Sequence, residues 1–218
     1  MIMCTYKTVC ITNRHLVFGQ EETNGTEKLW NAYFMQLEEA LKKRVSFVIL
    51  REKDLSQSQY QTLAKKAIAL SKKYQTLCVL HSFTETAMEL DHPYIHLPFQ
   101  RFWALEKDQK EKFLQIGVSV HSVEEAKKAQ QHGASYITAG HIFQTQCKEG
   151  VPPRGLAFLK EICEEVTIPV YAIGGIHSDN AQKCIEQGAY GVCMMSDFFH
   201  PVKEKEQYEK EKTERIPG

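Results

Sequence analysis

Three short segments hold the residues best able to do chemistry: AGHIFQTQCKEG at 139–150, IPVYAIGGI at 168–176 and GVCMMS at 191–196. Each opens as a strand and closes on a glycine or a reactive side chain. Gly174-Gly175 follows a buried-looking strand, and a second apolar strand arrives about one βα unit later. Glycine accepts φ > 0 and lets the backbone approach an anion closely. In a (β/α)₈ barrel, the loops after strands 7 and 8 commonly form a phosphate site from backbone N–H groups and a short helix N-terminus. Gly174, Gly175, Met195 and Ser196 are therefore the expected phosphate contacts. Ser196 would add its hydroxyl, and the DFFH segment after it would form a short helix with its positive end towards the anion. A tight strand-to-helix turn without a ligand has the same local sequence, but the position near the end of a repeating βα pattern favours phosphate.

Two histidines, His121 and His141, close the fifth and sixth apolar runs, and Ser119 lies on the same side of its pleat as His121. An imidazole changes charge near neutral pH and so suits proton transfer. The plain alternatives are a rim histidine bonded to its neighbours and, for His121, the residue before a helix cap at Ser122. Lys148 and Arg154 either offer positive charge to an anionic ligand or are solvated loop charges, and the adjacent Cys147 is a loop thiol of the kind that is usually incidental.

Eight apolar runs position these residues: 9–12, 45–50, 76–80, 94–97, 115–120, 135–140, 168–174 and 191–195. They are rich in Val and Ile and bounded by turn residues, as buried parallel strands are. Amphipathic segments at 27–43, 57–73, 122–132, 156–165 and 178–187 lie between them. The stretches 84–90 and 100–113 are weaker and read as short helices or irregular loops. Ser122 with Glu125 forms a capping-box pattern and Gly133 a stop, while Ser178-Asp179 opens the helix that ends at Gly188. Eight βα repeats in 218 residues predict one TIM barrel spanning 1–218, with a charged helix and tail from about 202 to 218. An open doubly wound sheet would place a glycine-rich turn after the first strand, where this chain has ITNRHLVFGQEETNG.

Lys+Arg and Asp+Glu balance at 27 each, so no global field favours nucleic acid or an anionic membrane. No apolar run approaches the ~20 residues of a membrane span, and the N-terminus shows no signal-peptide pattern. Seven scattered cysteines without a CxxC pair argue against a zinc site or a disulfide framework and for a reducing, cytoplasmic setting.

HSVEEA, GHIFQTQCKEG, RGL and PVYAIGGI, followed by GVCMMS, resemble the TenI/thiamin phosphate synthase family. The resemblance is close from the fifth strand to the eighth and at LREKDLS on the second. It implies a TIM barrel acting on a small thiazole phosphate, with Arg51 and Lys53 matching the family's basic pair. The synthase branch joins a pyrimidine diphosphate to a thiazole phosphate, with carboxylate-held Mg²⁺ neutralising the leaving diphosphate. Here Ile49 replaces that branch's Gln, His81-Ser82 replaces an Asn-Asp pair, and LPFQRF after the fourth strand contains no acid. Asp91 precedes that strand and so falls at the opposite end of the barrel. His141, where synthases have Pro, and Cys147-Lys148 match the thiazole tautomerase branch.

The resemblance therefore implies an isomerase that aromatises a carboxylated dihydrothiazole phosphate, with negligible synthase activity. His141 would move the proton, and Lys148 would offset the substrate carboxylate. His121, Ser119, Arg51 and Lys53 are further candidates for catalysis or substrate binding. No metal and no cofactor is expected, and the oligomeric state is left open, a homo-oligomer included. The alternatives are a thiamin phosphate synthase with an altered pyrimidine pocket and a non-catalytic, regulatory barrel that binds thiazole phosphate.

Overall fold

Short β-branched runs followed by capped helices generate the architecture, which a computed structural model describes for residues 6–19, 25–145 and 150–202. The strands are β1 (Lys7–Ile11), β2 (Phe47–Leu50), β3 (Leu77–His81), β4 (Tyr94–Pro98), β5 (Gln115–Val120), β6 (Tyr136–Gly140), β7 (Val170–Ile173) and β8 (Gly191–Met194). All pair in parallel with their chain neighbours, and β8 returns to β1 to close the barrel. The helices are α1 (Arg14–Phe18), α2 (Glu27–Lys42), α3 (Gln57–Lys73), α4 (Thr84–Glu89), α5 (Phe99–Ala104), α6 (Lys107–Lys110), α7 (Val123–Gln131), α8 (Gly155–Glu165) and α9 (Ala181–Ile185). The TIM-barrel expectation is met, and each expected strand lies within two residues of its place at either end.

Both faces of the sheet are buried, which explains why the strands read as continuous apolar runs. Val48, Leu50, Ile95, Val118, Val120 and Ala172 face the helices. Val9, Ile11, Phe47, Ile49, Val79, Tyr136, Tyr171 and Cys193 fill the barrel. At its N-terminal end, Phe47, Tyr136 and Tyr171 meet edge to face, with ring centroids 5.3–5.6 Å apart, and form an aromatic plug.

Local capping differs from expectation in three places. Ser122 Oγ accepts from the Glu125 N–H, but the Glu125 carboxylate accepts from the His121 N–H rather than closing a box on Ser122. Helix α9 starts at Ala181 rather than Ser178, because the Asn180 side chain holds the preceding turn by accepting from the His177 N–H. Helix α1 falls in a stretch whose sequence shows no helical period. Asn13 caps it by accepting from the His15 N–H, and Gly19 at φ +86° ends it. No described helix is long and apolar enough to cross a membrane. Lys148, Cys147, Cys4 and the charged tail from 203 onward lie outside the described residues.

Candidate active site at the C-terminal mouth of the barrel

A cavity of about 590 Å³ opens where the strands end, within the range of small-molecule sites. Of the residues singled out in the sequence, Arg51, Lys53, Ser119, His121, His141, Gly174, Gly175, Met195 and Ser196 all line it. The rim is built in two ways, according to which strands supply it.

Past the end of β2 the chain keeps alternating: Arg51 and Lys53 face the cavity, while Glu52 turns away and is buried. Glu52 Oε1 accepts from Thr12 Oγ1 at 2.8 Å and from the Tyr33 hydroxyl at 3.1 Å, and Oε2 accepts from the Arg14 N–H at 3.0 Å. The buried Arg14 guanidinium lies 3.5 Å from Glu52 and donates to both oxygens of Asp54 at 2.6 Å. Burial pushes the Glu52 carboxyl upward, against the pull of these donors, while the hydrogen bond from Arg14 holds Asp54 well below the usual carboxylate range. Thr12 Oγ1 also accepts from the Arg51 N–H at 2.9 Å, so this network fixes where the cavity's cations start.

Beneath them sit two buried imidazoles with ring centroids 5.6 Å apart, His81 and His96. His81 pairs with Ser82 Oγ at 2.8 Å, and His96 Nε2 lies 2.8 Å from Ser119 Oγ. Burial, reinforced by the charges of Arg51 and Lys53, pushes His96 down to about 3. His81 is driven well down by burial, His96 and the same two cations. Both rings are therefore neutral at physiological pH. His96 lines the cavity although its sequence carried no functional signal. A period-two reading of β4 would have found it only if the inward face of a doubly buried strand were already known.

The opposite side is built mainly from backbone. Gly174 at φ +100° and Gly175 at φ +63° follow β7. A side chain on Gly174 would strike His141, and one on Gly175 would strike Phe143 and the Gln144 carbonyl. The glycines thus let the loop after β6 lie directly on the loop after β7, a packing reason additional to any ligand. Backbone bonds from Ile142 to Ile173 O (2.9 Å) and from Phe143 to Gly174 O (3.0 Å) secure that contact. His141 is buried and its Nε2 lies 3.2 Å from the Val151 carbonyl, so Nε2 carries the proton. Its Nδ1 is buried and has no hydrogen-bond partner among the described residues. His121 Nδ1 similarly donates to the Gly140 carbonyl at 2.9 Å.

After β8 the expected DFFH helix is only a turn, closed by bonds from Phe198 and Phe199 to the Met195 carbonyl. Asp197 there pairs with His177 Nδ1 at 2.8 Å and accepts from the Ser178 N–H. His177 also lines the cavity, a contact that the sequence, with its partner 20 residues away, did not reveal.

The Mg²⁺ that the synthase resemblance implies can be tested against these groups. Among the described residues, no three His, Cys, Asp or Glu side chains gather as a metal site. Glu52, the carboxylate between Arg51 and Lys53, is committed to Thr12, Arg14 and Tyr33. The described residues do not fit a carboxylate-held divalent cation.

A closed barrel with its chemically active side chains gathered at the strand C-termini belongs to the class of (β/α)₈ proteins that carry function at this mouth. Residues 20–198 match the family described as thiamine monophosphate synthase, and the chain belongs to that family. It is 34% identical over 188 residues to a thiamine-phosphate synthase of Fusobacterium nucleatum, covering 85% of this chain and 88% of that protein. A thiamine-phosphate synthase of Clostridium acetobutylicum is 33% identical over 177 residues, covering 80% and 83%. The solved structure of a thiamine phosphate pyrophosphorylase from Pyrococcus furiosus superposes with a TM-score of 0.71 at 29% identity, covering 88% and 86%. These similarities overturn the tautomerase expectation. That expectation rested on His141, the Cys147-Lys148 pair and missing acids, whereas similarity to synthases extends over most of the chain.

Proposed function

We propose that this protein is a transferase of the thiamine-phosphate synthase kind, joining a pyrimidine diphosphate to a thiazole phosphate with release of diphosphate. One observation carries the reading: a single cavity has a cationic side at Arg51 and Lys53 and a glycine-rich, backbone-built side after β7 and β8. In the ring of eight, β7 stands three places and β8 two places from β2, so the two sides occupy separate arcs of one mouth. Two anionic groups can then be held at once with their reacting ends between them. Arg51 and Lys53 stabilise the charge that develops as the carbon–oxygen bond to diphosphate breaks. The thiazole nitrogen supplies the electron pair of the new carbon–nitrogen bond, and the diphosphate leaves with the pair from the old one. Backbone N–H groups at Gly174-Gly175 and Met195-Ser196, with the Ser196 hydroxyl, hold the thiazole phosphate. His141 borders the cavity, and Ser119 and His121 face the reacting region.

The donor set that does not fit Mg²⁺ favours a second reading, a barrel that binds thiazole phosphate without transferring the pyrimidine. Incubation with pyrimidine diphosphate and thiazole phosphate, with and without Mg²⁺, followed by product analysis, separates the two. Turnover near the ordinary enzymatic scale of about 1 s⁻¹ or more supports the transferase. Tight binding of thiazole phosphate without product under either condition supports the second reading.

A further inference from the structure

A chain of hydrogen bonds runs from the aromatic plug up to the cavity. The Tyr136 hydroxyl lies 3.2 Å from His96 Nδ1, and His96 Nε2 lies 2.8 Å from Ser119 Oγ and 3.4 Å from Thr138 Oγ1. Thr138 Oγ1 donates to Ser119 Oγ at 3.2 Å. We infer that Tyr136 and His96 are positioning residues whose relay turns the Ser119 hydroxyl hydrogen into the cavity, towards an anionic oxygen of the leaving diphosphate. The inference rests on the transferase reading for its ligand, but the relay itself is a property of the free protein.

The direction follows from counting donors. His96 is buried and neutral, so its ring has one N–H and one lone pair. Tyr136 is buried, and a buried phenol hydrogen without an acceptor costs its full desolvation penalty. The acceptor the structure provides is His96 Nδ1. The imidazole proton must then sit on Nε2, from which it donates to Ser119 Oγ. With His96 and Thr138 both donating to it, the Ser119 oxygen has its two acceptor positions filled. Its one hydrogen finds no protein acceptor among the described residues and faces the cavity that Ser119 lines. Arg51 and Lys53 act electrostatically on the same imidazole, so a ligand atom facing Ser119 lies in their positive field.

Gly117 gives independent support. A Cβ there would overlap both the Tyr136 phenol and His96 Nδ1. Glycine weakens a strand interior and often marks a close approach. At the centre of β5, the close approach it permits is the Tyr136–His96 contact.

Two measurements test the inference. In ¹⁵N-histidine spectra of the ligand-free protein, His96 is expected as the neutral tautomer protonated at Nε2, and Tyr136→Phe should move its Nδ1 resonance while Nε2 stays protonated. By calorimetry with inorganic diphosphate, Ser119→Ala and His96→Leu should each weaken binding about three- to tenfold. The two losses should not add in the double variant, and His96→Gln, which keeps an N–H donor, should bind near the parental level. A space-filling role for His96 predicts the reverse, with Leu tolerated as well as Gln. An Nδ1-protonated His96, an unmoved Nδ1 resonance in Tyr136→Phe, or additive losses would overturn the relay. If the parental protein fails to bind diphosphate, the transferase reading fails, and the nitrogen spectra still decide the tautomer.

Discussion

In the proposed transferase the two sides of the cavity would hold an anion by different means. After β2 the positive character comes from side chains, and Arg51 and Lys53 are placed by bonds to residues tens of positions away: Thr12, Arg14 and Tyr33. After β6 and β7 it comes from backbone, and the loop is placed by adjacent main-chain bonds and two glycines at positive φ. The first arrangement supplies full charges and leans on a buried ion pair. The second supplies partial charges from the main chain, with His141 and the His177–Asp197 pair bordering it. The halves should therefore respond differently to mutation and to pH.

The largest effect is expected beneath the charged half. Arg14→Met leaves Glu52 buried beside fewer compensating donors and should lower stability by about 3–5 kcal/mol, measured by urea unfolding. Because burial already pushes the Glu52 carboxyl upward, its protonation should make the loss smaller at pH 5 than at pH 8. A cost below 1 kcal/mol at pH 8 would show that the pair does not support this half. Next is Arg51→Met, expected to lower kcat/KM by about 10²–10³ while leaving thiazole phosphate affinity intact. An equal loss of thiazole phosphate binding would erase the distinction between the halves.

A smaller, pH-dependent effect sharpens it. In the folded protein His96 is held at about 3, below the roughly 6.5 of an exposed imidazole, so the unfolded chain takes up protons first. Its contribution is unaffected above about pH 6.5, and stability declines as pH falls from there towards 3. The slope is about 1.4 kcal/mol per pH unit. His81, displaced in the same direction, adds to it, and Glu52 opposes it. His96→Gln should remove about one such unit of slope from urea-derived stabilities between pH 4 and 6. The smallest effect belongs to the backbone-built half: Ser196→Ala should weaken thiazole phosphate binding about three- to tenfold and leave diphosphate binding unchanged. Gly175 is a poorer probe, since any side chain there also displaces Phe143 and Gln144.

The same contrast explains what the sequence made legible. The barrel and the glycine-marked rim are encoded locally, in β-branched runs, Gly174-Gly175 and the caps, so they could be read in place. Sites that depend on distant partners could not. His96 needs Tyr136, 40 positions away, and His177 needs Asp197. Parallel strands buried on both sides also conceal which alternate residues point inward. The branch of the family was misread because a few rim residues were set against a pattern that most of the chain shares with synthases. Local chemistry alone could not weigh the one against the other.

The aromatic plug has a consequence for traffic. With Phe47, Tyr136 and Tyr171 buried across the lower end, the barrel has no through-passage there. In the proposed transferase, both substrates would enter, and both products leave, by the mouth at the C-terminal ends of the strands. A reactant that needs the deeper position must arrive before its co-substrate covers it, and the product occupying that position must depart after the other has cleared. For that reaction a closed-bottomed vessel would impose an order of binding and release, and product inhibition should be strongest from whichever product sits lowest.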